Sequence, residues 1–285
     1  MKTILVTTDF SASANNAVKY ATQLATALHA NIKIMHAIKV PSENVMAAQV
    51  AWPLEDYGSL TAEANDRLAI LAETMSAKSE FNDKAVFKPV IDYTSQVGNV
   101  VDITRNLVHE ENIGMVVMGM SGAGSLSRFF LGSNSRDMIE NASFPLLLIP
   151  SNVSYAPVNK IAFATELNPE DLKLLQVLAQ FVKPLNAEIL ITHITKDRYE
   201  NHAQIKDADK FLSEISSKLN YHKIYYRHLN GFDVNNGLTW LCEHGQVDVI
   251  AMVHRQRNVI ERLFDNSHTQ DMARHINVPL MVFNN

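Results

Sequence analysis

At 285 residues, 47% of them apolar, the chain is long enough for two ordinary domains and can bury a sizeable core in each. A net charge of −5 argues against a nucleic-acid surface as its main business. The single cysteine, Cys242, excludes an intrachain disulfide and a thiol cluster for zinc, and it suits a reducing, cytoplasmic setting.

The opening MKTILVTTDFS has an apolar run of only Ile4 to Val6 before Asp9, so no secretory leader is expected there. No segment approaches about 18 uninterrupted apolar residues, which predicts no membrane span. Lys2 to Thr7 reads as a short buried strand. Thr8-Asp9-Phe10-Ser11 ends it, and a helix follows from near Ala12, with Ala14, Ala17, Val18, Ala21, Leu24, Ala25 and Leu28 at helical spacing. Asn31 to Ile38 is the second strand. Strand, helix and strand make a βαβ unit and hence a parallel sheet. Pro41 to Ser59 is irregular, and its place after the second strand suits a lid. Helical periodicity returns from Thr61 to Ser79, and Ala85 to Ile91 reads as a third strand. Val100 to His109 is a helix, Ile113 to Met118 a fourth strand, Arg136 to Asn141 a helix and Pro145 to Pro150 a last strand. The alternation predicts an α/β fold with an open, doubly wound parallel sheet, whose ligands sit at the carboxyl ends of strands. Asp9 lies at one such end.

After a polar link at Ser151 to Val158 the pattern restarts. Ile4-Leu-Val-Thr-Thr-Asp9 aligns with Ile161-Ala-Phe-Ala-Thr-Glu166, and His36 with His193. Asn168-Pro169-Glu170-Asp171 reads as a helix start, with an Asn cap and Pro at the first position. Ala187 to His193 is the second strand again. Val249 to Met252 repeats Met115 to Met118, Asp271-Met272 repeats Asp137-Met138, and Pro279-Leu280 repeats Pro145-Leu146. The offset falls from 157 (161 − 4) to 134 (272 − 138), so the first half is longer by about 23 residues, most of them assigned to Pro41–Ser59. The chain therefore reads as two tandem doubly wound domains, 1–150 and 158–285.

Between the fourth strand and the helix at Arg136 stands a glycine-rich loop. Gly119, Gly122, Gly124 and Gly132 are four of the ten glycines and fall within 14 positions. A strand, a glycine loop and a helix N-terminus is an arrangement that holds phosphate, because glycine admits close backbone approach and the helix start offers free N–H groups. At the corresponding positions of the second half stand Val253, Gln256, Asn258 and Asn266, and Ser133 alone is retained, as Ser267. This loss, with Glu166 in place of Asp9, predicts a second half without such a phosphate site.

The spacing Gly119-x2-Gly122-x9-Gly132-Ser133 resembles the G-2x-G-9x-G-[S/T] pattern of the ATP-binding universal stress proteins. It is neither the dinucleotide fingerprint nor the G-x-x-x-x-G-K-[S/T] loop. The resemblance covers nearly the whole chain, as two such domains in tandem. It implies Rossmann-like domains of the adenine nucleotide alpha hydrolase type and an ATP-binding, stress-response regulatory role with an unidentified protein partner. By that resemblance Asp9 contacts the nucleoside, and Thr7 (proline in many members) and Thr8 line the pocket. Ala37 flanks the adenine, and Met118 and Gly119 lie under ribose and phosphates. Ser121, Gly122, Gly132, Ser133 and Asn134 wrap the phosphate tail, with Mg²⁺ as the natural counter-ion. Members often dimerise through their last strands. Here Pro145–Ile149 is expected to meet Pro279–Phe283 within one molecule, with a further dimer of chains left open.

Other features are bland. Eight of the eleven histidines lie in the second half, without metal-ligand spacing. Arg255, Arg257 and Arg262 read as a solvated charged face before an anion site. There is no nucleophile elbow, dedicated base or arginine finger, so slow ATP hydrolysis is the most catalysis expected. The rival reading is a partner-binding protein whose loop holds no nucleotide.

Overall fold

A computed structural model describes residues 3–39, 57–80, 87–120, 133–198, 202–255 and 278–284. The first half runs β1 (Thr3–Thr7), α1 (Ala12–Leu28), β2 (Asn31–Ile38), α2 (Tyr57–Glu80), β3 (Ile91–Val97), α3 (Val100–Glu110), β4 (Ile113–Met120), α4 (Ser133–Asn141) and β5 (Leu146–Pro150). The second runs β6 (Lys160–Ala164), α5 (Asp171–Leu185), β7 (Glu188–Thr195), α6 (His202–Lys218), β8 (Ile224–Asn230), α7 (Val234–His244), β9 (Val249–His254) and β10 (Leu280–Asn284).

The ten strands form one sheet in the order β3-β2-β1-β4-β5-β10-β9-β6-β7-β8. Pairing is parallel within each half. The single antiparallel junction joins β5 to β10, with Leu148 opposite Leu280, Leu147 opposite Met281 and Leu146 opposite Val282. The last strands of the two halves thus pair within one molecule, as expected, and neither is left as an apolar edge.

Successive strand residues point to opposite faces, and the core divides accordingly. Ile4, Val6, Met115 and Val117 pack under α1 and α2, and the layer continues through Leu147 and Met281 to α5 and α6. Leu5, Val116 and Met118 pack against α3 and α4, and that layer continues through Leu148 and Leu280 to α7. Every residue of β5 is buried. Burying each leucine there contributes about 2 kcal/mol of hydrophobic stabilisation.

The repeat is visible in backbone detail. His29 ends α1 at φ 51° and Asn186 ends α5 at φ 55°; Phe10 and Leu167, which follow β1 and β6, have φ 62° and 59°. The offset is 157 between β2 and β7 and 133 between β3 and β8, so the extra residues all lie between those strands, at 39–90 against 196–223. They are shared between a longer α2 and the segments flanking it. Tyr57, Gly58 and Ser59, read as irregular, are the first residues of α2. Residues 40–56, with the expected lid, lie outside the described residues.

Two predicted boundaries are corrected. The third strand is not Ala85–Ile91 but Ile91–Val97, paired with β2 from Ile32↔Ile91 to Ile38↔Val97. This strand sits at the sheet edge, so its sequence IDYTSQV needs no apolar run, while the more apolar stretch before it contains Pro89, which has no N–H to donate. The second correction is the start of α5, which lies at Asp171 and not at Pro169. Asn168 Oδ1 accepts from the Glu170 N–H at 3.0 Å, closing a turn ahead of the helix instead of capping it.

Candidate nucleotide site

The site of the first half is assembled where the strands end. Thr8 continues the β1–β2 pairing, its N–H donating to Met35 O at 2.9 Å. Its side chain then turns the chain: Thr8 Oγ1 accepts from the Phe10 N–H at 3.0 Å, holding Phe10 in a left-handed conformation that side chains other than glycine rarely adopt. Asp9, at the apex, is exposed, and its Oδ1 accepts from the Ser11 N–H at 3.0 Å. Ser11 caps α1 by accepting from the Ala14 N–H at 3.2 Å. Behind this turn His36 Nδ1 lies 2.8 Å from Thr8 O. A carbonyl only accepts, so the proton is on Nδ1. The His36 ring packs 4.7 Å from Phe10, and the Arg67 guanidinium lies 3.9 Å over the Phe10 ring.

These elements enclose a cleft of about 570 Å³, lined among the predicted residues by Thr7, Thr8, Asp9, Ala37, Met118, Gly119, Ser133 and Asn134. Eight of the eleven predicted positions are therefore brought together. The other three, Ser121, Gly122 and Gly132, lie outside the described residues. The cleft is further lined by Ser11, Ser13, Ala14, Lys39, Gly98, Asn99, Val100 and Ser135, which were not singled out from the sequence. Gly98 and Asn99 went unnoticed because the third strand was placed six residues early. Read at Ile91–Val97, it would have put them at a strand's carboxyl end. Gly98 turns the chain at φ 144°, a conformation that favours glycine. Asn99 Oδ1 accepts from the Val101 N–H at 2.7 Å and caps α3.

Three helix N-termini therefore meet at this cleft: α1 through Ser11 and Ser13, α3 through Asn99 and Val100, and α4 through Ser133 to Ser135. Each brings unpaired N–H groups and the positive end of a helix dipole. Together with the serine hydroxyls they make a neutral, donor-rich wall suited to phosphate oxygens. Among the described lining residues only Asp9 and Lys39 carry charge. A divalent cation there would rely on a bound nucleotide's own oxygens, with Asp9 the one carboxylate at hand.

Gly119 has a further reason to be glycine besides the expected approach of phosphate. A Cβ on it would lie 2.5 Å from Ser13 O and 3.0 Å from Ala14 N. The close neighbour is the first turn of α1, packed onto the end of β4.

The corresponding region of the second half repeats the frame. Thr165 Oγ1 accepts from the Leu167 N–H at 2.8 Å, and His193 Nδ1 donates to Thr165 O at 2.9 Å. Asp233 caps α7 as Asn99 caps α3. Val253 stands in place of Gly119, and α5 starts at Asp171, two residues later in the repeat than α1 does at Ala12. The remaining space is about 130 Å³. Asp171, in place of Ala14, is fully buried. It accepts from Thr165 Oγ1 at 2.6 Å and, on its other oxygen, from the Arg255 guanidinium. Glu166 lies 3.8 Å from Arg255 on the outer side. Burial pushes the Asp171 carboxyl above the usual range, while the Thr165 hydroxyl and Arg255 pull it back. Arg255 is thus neither a solvated charge nor an open anion site: it is turned inward onto a buried carboxylate. Arg257 and Arg262 lie outside the described residues. Cys242 offers no nucleophile, since burial pushes its thiol up to about 12. Among the described residues no helix is long and apolar enough to cross a membrane.

Comparison with known proteins agrees with this architecture. The universal stress protein family matches residues 1–150 and again 157–284. Universal stress protein Slr1230 of Synechocystis sp. is 21% identical over 99% of this chain and all of its own length. The crystal structure of a universal stress protein from Archaeoglobus fulgidus is similar at a TM-score of 0.71 and 15% identity, over 99% of this chain and 98% of that one. A universal stress protein structure from Pseudomonas aeruginosa reaches 0.58 at 11% identity, over 100% of this chain and 93% of its own. At such identities the structures speak to fold alone. With the family matched along both halves, the chain belongs to the universal stress protein family.

Proposed function

We propose that the protein is an ATP-binding regulator of the stress response that holds one adenine nucleotide in its first half and none in its second. The observation that carries this reading is the convergence of three helix N-termini on a cleft of about 570 Å³, against about 130 Å³ behind an internal ion pair in the second half. The larger volume falls in the usual range of small-molecule sites, about 300–1,000 Å³. In this reading Asp9 receives a nucleoside hydrogen bond, Thr7 and Thr8 form the floor, and Ala37 lies beside the base. Met118 and Gly119 pass beneath the sugar. Ser133 and Asn134, at the start of α4, take the phosphates with Ser121, Gly122 and Gly132 of the glycine loop, and Mg²⁺ would neutralise phosphate charge there. Occupancy would be the regulatory variable read by a protein partner, and the lone half-buried cysteine fits a reducing cytoplasmic setting.

Titration calorimetry with ATP–Mg²⁺ tests the site directly. The full chain is expected to bind, and Asp9→Ala to weaken binding about tenfold, the usual loss for one hydrogen bond to a charged group. Absence of binding by the full chain, with Mg²⁺ and without it, would refute the reading.

A further inference from the structure

We infer that Asn284, on the last strand of the second half, is a positioning residue for the nucleotide site of the first half. The inference rests on the nucleotide reading above and gives the second half a part in it.

The helix that offers its N-terminus to the cleft, α4, has only nine residues. A helix this short has little stability of its own and takes its direction from what holds it. Its last carbonyls have no partners within the helix. Asn284 supplies one of them and one just past the helix end: its Nδ2 donates to Ile139 O and to Ala142 O, both at 2.6 Å. The amide arrives on a fixed support, because Asn284 is paired in register with His254 of β9 and β10 is paired with β5. Met138 and Ile139 of α4 pack in the same layer as Leu280 and Val282 of β10. The opposite end of this helix presents Ser133, Asn134 and Ser135 to the cleft. A donor at the carboxyl end of a helix is also favourable to its dipole. The second half therefore grips α4 from behind, and the grip fixes where its free N–H groups point.

The grip runs one way. At the offset of 134 the counterpart of Asn284 is Pro150, whose side chain has no donor to give the second half. The bond that β10 gives to the half with the open cleft is one that the Pro150 side chain cannot return.

The test uses the full chain with Asn284→Asp, which keeps the shape while removing the donor and placing negative charge at the helix C-terminus, and with Asn284→Ala. ATP–Mg²⁺ and adenosine are titrated into each, and thermal midpoints are recorded without ligand. The expected result is ATP affinity about tenfold weaker in Asn284→Asp and about threefold weaker in Asn284→Ala, with adenosine affinity changed by less than about twofold. That split is what a role at the phosphate end requires, because in this reading adenosine meets the ends of β1, β2 and β4 and not α4. Equal losses for ATP and adenosine, or no loss for ATP, would overturn the inference while leaving the nucleotide reading in place. A wild-type chain that binds neither ligand would remove the nucleotide reading itself, and this inference with it.

Discussion

The two halves share a frame down to single hydrogen bonds, yet one presents a cleft and the other a filled pocket. The threonine that turns the chain after the first strand, the histidine that donates to its carbonyl and the left-handed residue two positions later are all present twice. The difference lies in two side chains and one helix start. Asp171 replaces Ala14, Arg255 stands at the offset of Ser121, and α5 begins two residues later in the repeat than α1. A binding site built from backbone ends is lost when side chains of the same chain take the place of the ligand. The internal ion pair keeps the frame satisfied once the site is gone.

The comparison is broken most severely by removing one member of that pair. Arg255→Leu leaves the Asp171 carboxylate buried with only Thr165 to hold it, and is expected to cost about 3–5 kcal/mol in denaturant unfolding at neutral pH. The double change Asp171→Ala/Arg255→Ser should cost far less, because no buried charge remains. The two variants also differ in pH response. A carboxyl raised above its ordinary 3.8 contributes stability that is fully present below the unfolded value and lost as pH rises through the folded value. Acidification toward that range should therefore recover stability in Arg255→Leu and do nothing comparable in the double variant. Equal stability of Arg255→Leu and wild type at neutral pH would show that the pair is not what fills the second half.

Transferring the plug tests the same idea in the other direction. Ala14→Asp/Ser121→Arg should weaken ATP binding about a hundredfold, roughly 2.7 kcal/mol, while leaving the circular dichroism spectrum of the full chain unchanged. Binding that survives would mean that the open cleft of the first half is not where nucleotide sits. Gly119→Ala sharpens the role of the helix start. It puts a Cβ against the α1 backbone and is expected to cost about 1–3 kcal/mol. Val253→Ala in the other half makes no such collision and should cost only the lost burial of two carbons, about 1.6 kcal/mol. The smallest effects belong to what the halves share. His36→Phe and His193→Phe each lose one hydrogen bond to a threonine carbonyl, and the two losses should be similar, about 1 kcal/mol each by thermal unfolding.

The legibility of the sequence followed burial. β1 and β5 were readable nearly to their ends because strands covered on both faces carry continuous apolar runs, β2 to its end residues through its buried Ile32, Ile34, Met35 and Ile38, and α1 through its helical spacing. The β5–β10 junction was legible for the same reason: two fully apolar last strands need a partner. The edge strand β3 escaped that logic, since one neighbour and a partly exposed face leave no apolar run to find. With it went Gly98 and Asn99, the third helix start at the cleft. Local spacing identified Asp9 and the described glycine-loop residues as neighbours, but not the further reason for Gly119 to be glycine, because its close contact is a turn more than a hundred residues earlier. Arg255 was misread for a related reason. Its partner Asp171 is 84 positions away and looks in the sequence like an ordinary acidic residue in a helix's first turn.

The central claim is a number: one nucleotide per chain, in the first half. The direct measurement is the count of adenine nucleotide released when the purified full chain, equilibrated with ATP–Mg²⁺ and freed of excess, is denatured. The account predicts close to one per chain for wild type, close to none for Ala14→Asp/Ser121→Arg, and no loss in Asp171→Ala/Arg255→Ser. Two per wild-type chain would contradict the reading of the second half, and none would contradict that of the first.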